Sequence, residues 1–111
     1  MPTTTTYYNN IAVLIVKDEL AGDEVGAFVA QAERCIKERK CDLVLDCSSL
    51  EGLDSKGLEA LVDLQSQCEN ELGSLKLCKL NPNCAKILEI TRLARRFASF
   101  EDLESAVRSF A

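Results

Sequence analysis

Hydrophobic and polar positions along the chain fall into alternating strand-like and helix-like stretches. Thr3 to Tyr8 is β-prone, Asn9-Asn10 supplies two residues that tolerate positive φ, and Ile11 to Val16 is apolar and largely β-branched, which together predict a hairpin whose second strand is buried on both faces. Beyond Lys17 to Gly22, apolar residues at Val25, Phe28, Val29, Ala32 and Ile36 keep the one-face spacing of an amphipathic helix, with Asp23 and Glu24 suited to its start and Lys37, Arg39 and Lys40 to its end. Leu43-Val44-Leu45 is a continuous apolar run of the kind found in a central parallel strand.

A polar loop from Cys47 to Asp54 then leads into a second helix starting near Ser55, with Leu58, Leu61, Val62 and Leu72 at helical spacing and Gly73 placed to end it as a left-handed residue. Leu75 to Leu80 reads as a strand, and Asn81-Pro82 is an N-cap followed by proline at the first helical position, opening a helix toward Thr91. Arg96 to Ala98 suits a short strand, and Ser99 to Asp102 resembles a capping box ahead of Leu103, Ala106, Val107 and Phe110 on one helical face. The predicted order is ββαβαβαβα. Right-handed crossovers then give an α/β fold with a mixed sheet, helices mainly on one face, and functional loops where strands feed helices.

With 111 residues, no low-complexity linker and no internal repeat, the expectation is one domain over residues 1–111. The absence of histidine removes Ser-His-Asp and Cys-His catalysis and every zinc site that needs an imidazole. A net charge of -5 argues against general attraction to nucleic acid or anionic lipid and favours a protein partner. No apolar run is long enough to span a bilayer, and the first residues lack a secretory pattern, so a cytoplasmic location is expected. Six cysteines without any C-x-x-C spacing read as reduced, mostly buried small hydrophobes, and no cofactor is expected.

Chemistry concentrates between Asp42 and Leu58. Gly52-x-x-x-x-Gly57 has the glycine spacing of a phosphate-binding loop, yet Leu58-Glu59 stands where a lysine and a hydroxyl would be required, so a nucleotide site is not supported. Asp42, Asp46, Glu51 and Asp54 are acidic in sequence, but nothing in the spacing makes them converge on a metal or an acid-base pair. Lys86, Arg92, Arg95 and Arg96 form a basic stretch on and after the third helix, either a docking surface for acidic groups or a solvated face. Asp54 or Ser55 is suited to capping the second helix.

The segment Asp42-Leu43-Val44-Leu45-Asp46-Cys47-Ser48-Ser49-Leu50-Glu51-Gly52-Leu53-Asp54-Ser55-Lys56-Gly57-Leu58 resembles the signature of STAS domains, in particular of bacterial anti-sigma factor antagonists. Glu19-Leu20, Asn81-Pro82, Phe97, Phe100-Glu101 and Glu104-x-Ala106 extend the resemblance over nearly the whole chain. It implies that Ser55 is the phosphorylated residue, and that Glu19, Leu20, Ala21, Gly22, Leu53, Asp54, Lys56, Gly57 and Leu58 contact a partner. The implied partners are an anti-sigma factor with serine-kinase activity, which the unphosphorylated chain binds, and a serine phosphatase that restores binding; the chain itself is then no enzyme. Many such antagonists carry a second serine where this chain has Lys56, an aspartate near Ala21 and a glycine near Asp18. These departures keep open a second expectation, a constitutive STAS subunit of a membrane transport complex or signalling scaffold in which Ser55 is only a cap.

Overall fold

The computed structural model describes residues 3–110. Strands β1 (Thr3–Tyr8) and β2 (Ile11–Val16) form the expected antiparallel hairpin, turned at Asn9 with φ 57°. β2 continues into β3 (Asp18–Leu20), and the chain proceeds through α1 (Glu24–Lys37), β4 (Asp42–Asp46), β5 (Leu50–Leu53), α2 (Ser55–Asn70), β6 (Ser74–Cys78), α3 (Pro82–Ile90), a 3-10 turn (Ala94–Arg96), β7 (Ser99–Phe100) and α4 (Leu103–Arg108). The main sheet has the order β1-β2-β4-β6-β7, parallel apart from the β1–β2 pair, while β3 and β5 pair with each other as a separate two-stranded parallel sheet.

Strand alternation divides the core. Ala12, Leu14, Val16, Leu43, Leu45, Leu75 and Leu77 face one way and meet Phe28 and Ala32 of α1, Leu61 and Leu64 of α2, and Leu88 of α3. Val13, Val44 and Cys78 face the other way and meet Ala106 of α4, with Leu103, Val107 and Phe110 around them. Each fully buried leucine contributes about 1.5–3 kcal/mol of transfer free energy, so β2 and β4, lined on both faces, hold the two layers together. The short α4 is fastened from beneath by Lys76 of β6, whose ammonium lies 4.0 Å from the Phe110 ring centroid and donates to Ser109 Oγ at 2.7 Å. A cation at a helix C-terminus and over an aromatic face is favoured on both counts.

Gln65 of α2 is buried and fully bonded: its amide nitrogen donates to the carbonyls of Leu75 at 2.9 Å and Arg96 at 2.6 Å, and its oxygen accepts the Leu75 N–H at 2.7 Å. One side chain thereby fixes α2 against both β6 and the 3-10 turn.

Several expectations need correction. The stretch Lys17 to Gly22 and the Cys47–Asp54 loop contain β3 and β5, each too short to show a period and each paired as a strand only with the other. Gly73 does not take the left-handed conformation; Leu72 does, with φ 66°, and lies 97% exposed beyond the helix. The Gly73 N–H bonds to the Cys68 carbonyl and the Leu72 N–H to that of Glu69, a Schellman closure displaced by one residue from the glycine. Glycine is needed at 73 for space, because a Cβ there would sit 2.2 Å from the Cys41 carbonyl oxygen. The strand expected at Arg96 to Ala98 starts later: Arg96 ends the 3-10 turn, Phe97 is buried in the larger core, and pairing begins with the Leu77 N–H to the Ala98 carbonyl at 2.9 Å. Ser99 lies in β7, and the cap of α4 is Asp102, which accepts from the Ser105 N–H at 2.7 Å.

Candidate functional site

The Asp54-Ser55 motif sits where β5 feeds α2. After β4, Asp46 accepts the Ser48 N–H at 2.9 Å and turns the chain, and β5 then lies parallel to β3. The outer edge of β5 is held by the start of α3: Asn81 caps that helix by accepting the Cys84 N–H at 2.8 Å while its amide donates to the Leu50 carbonyl at 2.6 Å, and the Asn83 amide donates to the Glu51 carbonyl at 3.0 Å. A two-stranded sheet is marginal alone, so these anchors matter to the position of everything that follows β5.

Asp54 is the N-cap of α2. One carboxylate oxygen accepts the Gly57 N–H at 2.8 Å, and the other accepts the Gly22 N–H at 3.0 Å across the chain. One side chain thus joins the α2 start to the loop between β3 and α1. The Gly57 N–H, then the Gly22 N–H and, more weakly, the Lys56 charge hold its carboxyl below the ordinary carboxylate range. Gly57 lets these segments approach, since a Cβ there would meet the Leu20 carbonyl oxygen at 2.2 Å.

Ser55 is the first helical residue, exposed, with a hydroxyl that makes no hydrogen bond to a described residue. The cap is therefore Asp54, and Ser55 is left free. Four backbone N–H groups at a helix start lack helical partners. Here Asp54 gives its N–H to the Leu20 carbonyl at 3.4 Å and Gly57 gives its N–H to the Asp54 carboxylate at 2.8 Å, leaving those of Ser55 and Lys56. An anion on Ser55 would share this helix end with a carboxylate already in place.

Of the residues expected to meet a partner, Glu19, Gly22 and Lys56 are exposed, and Ala21, Leu53, Asp54 and Leu58 are partly so. Leu20 and Gly57 are buried, Leu20 completely, because β3 packs its one inward side chain under α2. Ser55 also opens onto a shallow trough of about 510 Å³ between α2 and the 3-10 turn, floored by Leu58, Val62 and Leu93 and edged by Glu59 and Asp63. Sequence reasoning missed Leu93 as part of this surface, because only the packing of α3 and its following turn brings it there.

Other candidates disperse. Asp42 lies at the opposite end of β4 from Asp46, and Asp46 and Asp54 are spent on turning and capping, so the acidic run builds no common site. Arg96 of the basic stretch pairs with Glu69 at 3.2 Å, while Arg92 and Arg95 are exposed. Five of the six cysteines are buried and none is in a disulfide; burial raises the Cys68 thiol to about 12 and the Cys78 thiol to about 11, as for inert structural thiols. Asp18, at the position where a glycine was noted as usual, holds φ 65°, the left-handed region, beside a bulge in the β3–β5 register. Among the described residues no helix is long and apolar enough to cross a membrane.

A STAS domain model matches residues 3–106, and the chain belongs to the STAS domain family. No curated protein matches it. The fold is shared with a candidate anti-sigma factor antagonist from Thermotoga maritima (TM-score 0.90, 18% identity, 96% of this chain and 92% of that one). It is shared also with the phosphorylated form of the Bacillus cell fate determinant SpoIIAA (TM-score 0.78, 16% identity, 98% and 99% covered). A sulfate transporter family protein from Wolinella succinogenes also has it (TM-score 0.77, 15% identity, 94% and 87% covered).

Proposed function

We propose that the chain is an anti-sigma factor antagonist that works in the cytoplasm by partner switching, with Ser55 as the phosphorylated residue. It is a binding module without catalytic activity or cofactor. The observation that carries this reading is the free, exposed Ser55 hydroxyl at the first turn of α2, beside an Asp54 that already caps the helix. Unphosphorylated, the surface of Glu19, Ala21, Gly22, Leu53, Asp54, Lys56 and Leu58 binds an anti-sigma factor with serine-kinase activity. Phosphorylation releases that partner, and a serine phosphatase restores binding.

The magnitude is sufficient. A phosphate adds a charge of about -1.5 to -2 next to Asp54 and Glu59. One new like-charge contact with a partner at about 4 Å costs roughly 4 kcal/mol at an effective dielectric of 20, and tenfold in affinity is about 1.4 kcal/mol. At the helix start the phosphate meets the free N–H groups of Ser55 and Lys56 and the positive end of the dipole, so the fold tolerates the modification and the added charge is felt by whatever docks on the surface.

A second reading is favoured by the likeness to the sulfate transporter family protein and by Lys56: a constitutive subunit of a membrane transport complex or scaffold. Wild-type, Ser55→Ala and Ser55→Asp proteins used as baits in a lysate of the source organism separate the two. Retention of an ATP-binding serine kinase by the first two and its loss with Ser55→Asp supports the switch. Equal retention of transporter subunits by all three refutes it in favour of the second reading.

A further inference from the structure

At the end of the molecule remote from Ser55, the C-terminal ends of α1 and α2 and the start of β4 enclose a hollow of about 540 Å³. α2 alone separates the two ends by roughly 24 Å at 1.5 Å per residue over its 16 residues. Two features of this hollow are unexplained by the fold. Leu72 stands on its rim 97% exposed and in the left-handed conformation, φ 66°, where asparagine or glycine would be less strained. No interior contact requires leucine there. The rim carries both signs of charge, Lys37 and Arg39 from the end of α1 and the turn after it, Asp42 from the start of β4 and Glu71 from the end of α2. Among the described residues the ion pairs are Arg96–Glu69 and Arg108–Glu104, so these four charges are not paired within the chain. Part of Ile36, which packs against the larger core, shows in a wall that is otherwise mostly polar.

A rim that brings Arg39 from the end of α1 and Glu71 from the end of α2 to one hollow, with an exposed apolar knob beside them, meets its own complement under a two-fold rotation. We propose that this end binds a second copy of the chain, Leu72 of each copy entering the hollow of the other while Arg39 of each faces Glu71 of its partner. The surface is small, so the dimer is a weak one that forms at high local concentration. Both Ser55 surfaces point away from the contact and stay free, and the inference does not depend on their role.

Sedimentation velocity of the whole chain at low salt, from about 10 μM to about 1 mM, reads this directly, a range suited to interfaces below standard size. The expected result is a mass rising from 12.2 kDa toward twice that value and falling back when salt is added. Leu72→Gly relieves the backbone strain, so it melts at the same or a higher temperature than wild type, yet weakens association tenfold or more. Arg39→Glu and Glu71→Arg each abolish association alone, since like charges then meet twice, but an equimolar mixture of the two associates, because every contact in the mixed dimer is again between opposite charges. A chain that stays monomeric to about 1 mM overturns the proposal, as does a mixture no more associated than either variant. So does association unaffected by Leu72→Gly.

Discussion

Gly26 and Gly57 occupy the same position, third in the first turn, of α1 and α2 respectively. In a helix, Gly→Ala stabilises by roughly 0.5–1 kcal/mol, mainly through the unfolded chain, and the lower end applies to a first turn. A Cβ on Gly26 meets nothing within 4 Å, so Gly26→Ala is expected to stabilise the protein by about 0.5 kcal/mol. At Gly57 the new Cβ lies 2.2 Å from the Leu20 carbonyl oxygen, where ordinary contact begins near 3.4 Å, so β3 and α2 must part by roughly 1.2 Å. Neither is free to move, for the Leu20 carbonyl also accepts the Asp54 N–H and Asp54 holds Gly22. Overpacking of this kind costs about 1–3 kcal/mol, which exceeds the propensity gain, so Gly57→Ala is expected to destabilise by about 1–2 kcal/mol net. Urea titration followed by circular dichroism gives both free energies, and the two variants should fall on opposite sides of wild type. In the same Gly57→Ala protein, partner binding should weaken more than stability alone accounts for, because the two loops joined by Asp54 are displaced. A Gly57→Ala protein as stable as wild type would refute the assignment of Gly57 to a close approach.

Asp18→Gly relieves a left-handed backbone at an exposed position and is expected to raise stability by about 0.5–1 kcal/mol, checked by thermal melting. Gln65→Leu leaves the N–H and carbonyl of Leu75 and the carbonyl of Arg96 without their buried partner, and should cost about 2–3 kcal/mol or more in the same urea assay. Because the folded Asp54 carboxyl titrates below its unfolded value of about 4, its contribution is present above that pH and lost as pH falls through the folded value. Asp54→Asn should therefore flatten the acid limb of stability against pH below about 4, and an unchanged slope would count against the double clamp. Ser55→Asp, at an exposed side chain without partners, should leave the melting temperature within about 2 °C of wild type, whatever it does to binding.

Elements announced by local chemistry were legible: the hairpin from Asn9-Asn10, α2 from Asp54, and α3 from Asn81-Pro82, whose side chains act within a few residues of themselves. β3 and β5 were not, because their register joins Asp18 to Leu50 and neither has a partner nearby in sequence. Gly73 was misread for a related reason. Its role is set by Cys41, a contact across the fold, and the left-handed duty passed to Leu72. The Asp54-Ser55 motif was visible as a helix start, but the bond from Gly22 and the trough wall at Leu93 depend on tertiary packing and left no local signal.

The parallel register has a bearing on how the chain reaches its folded state. Ala12 pairs with Leu43 and Leu43 with Leu75, neighbours 31 and 32 positions apart, so apart from the β1–β2 hairpin no central strand finds its partner before a whole helix has been laid down. Closing such loops precedes the reward of burial, which places folding in the slower range of mixed α/β domains and not in the microsecond range of helical bundles. Until the sheet closes, Cys35, Cys47, Cys68, Cys78 and Cys84 are all open to solvent, and only the finished core withdraws them. Oxidation of these five thiols while the sheet assembles would therefore compete with burying them.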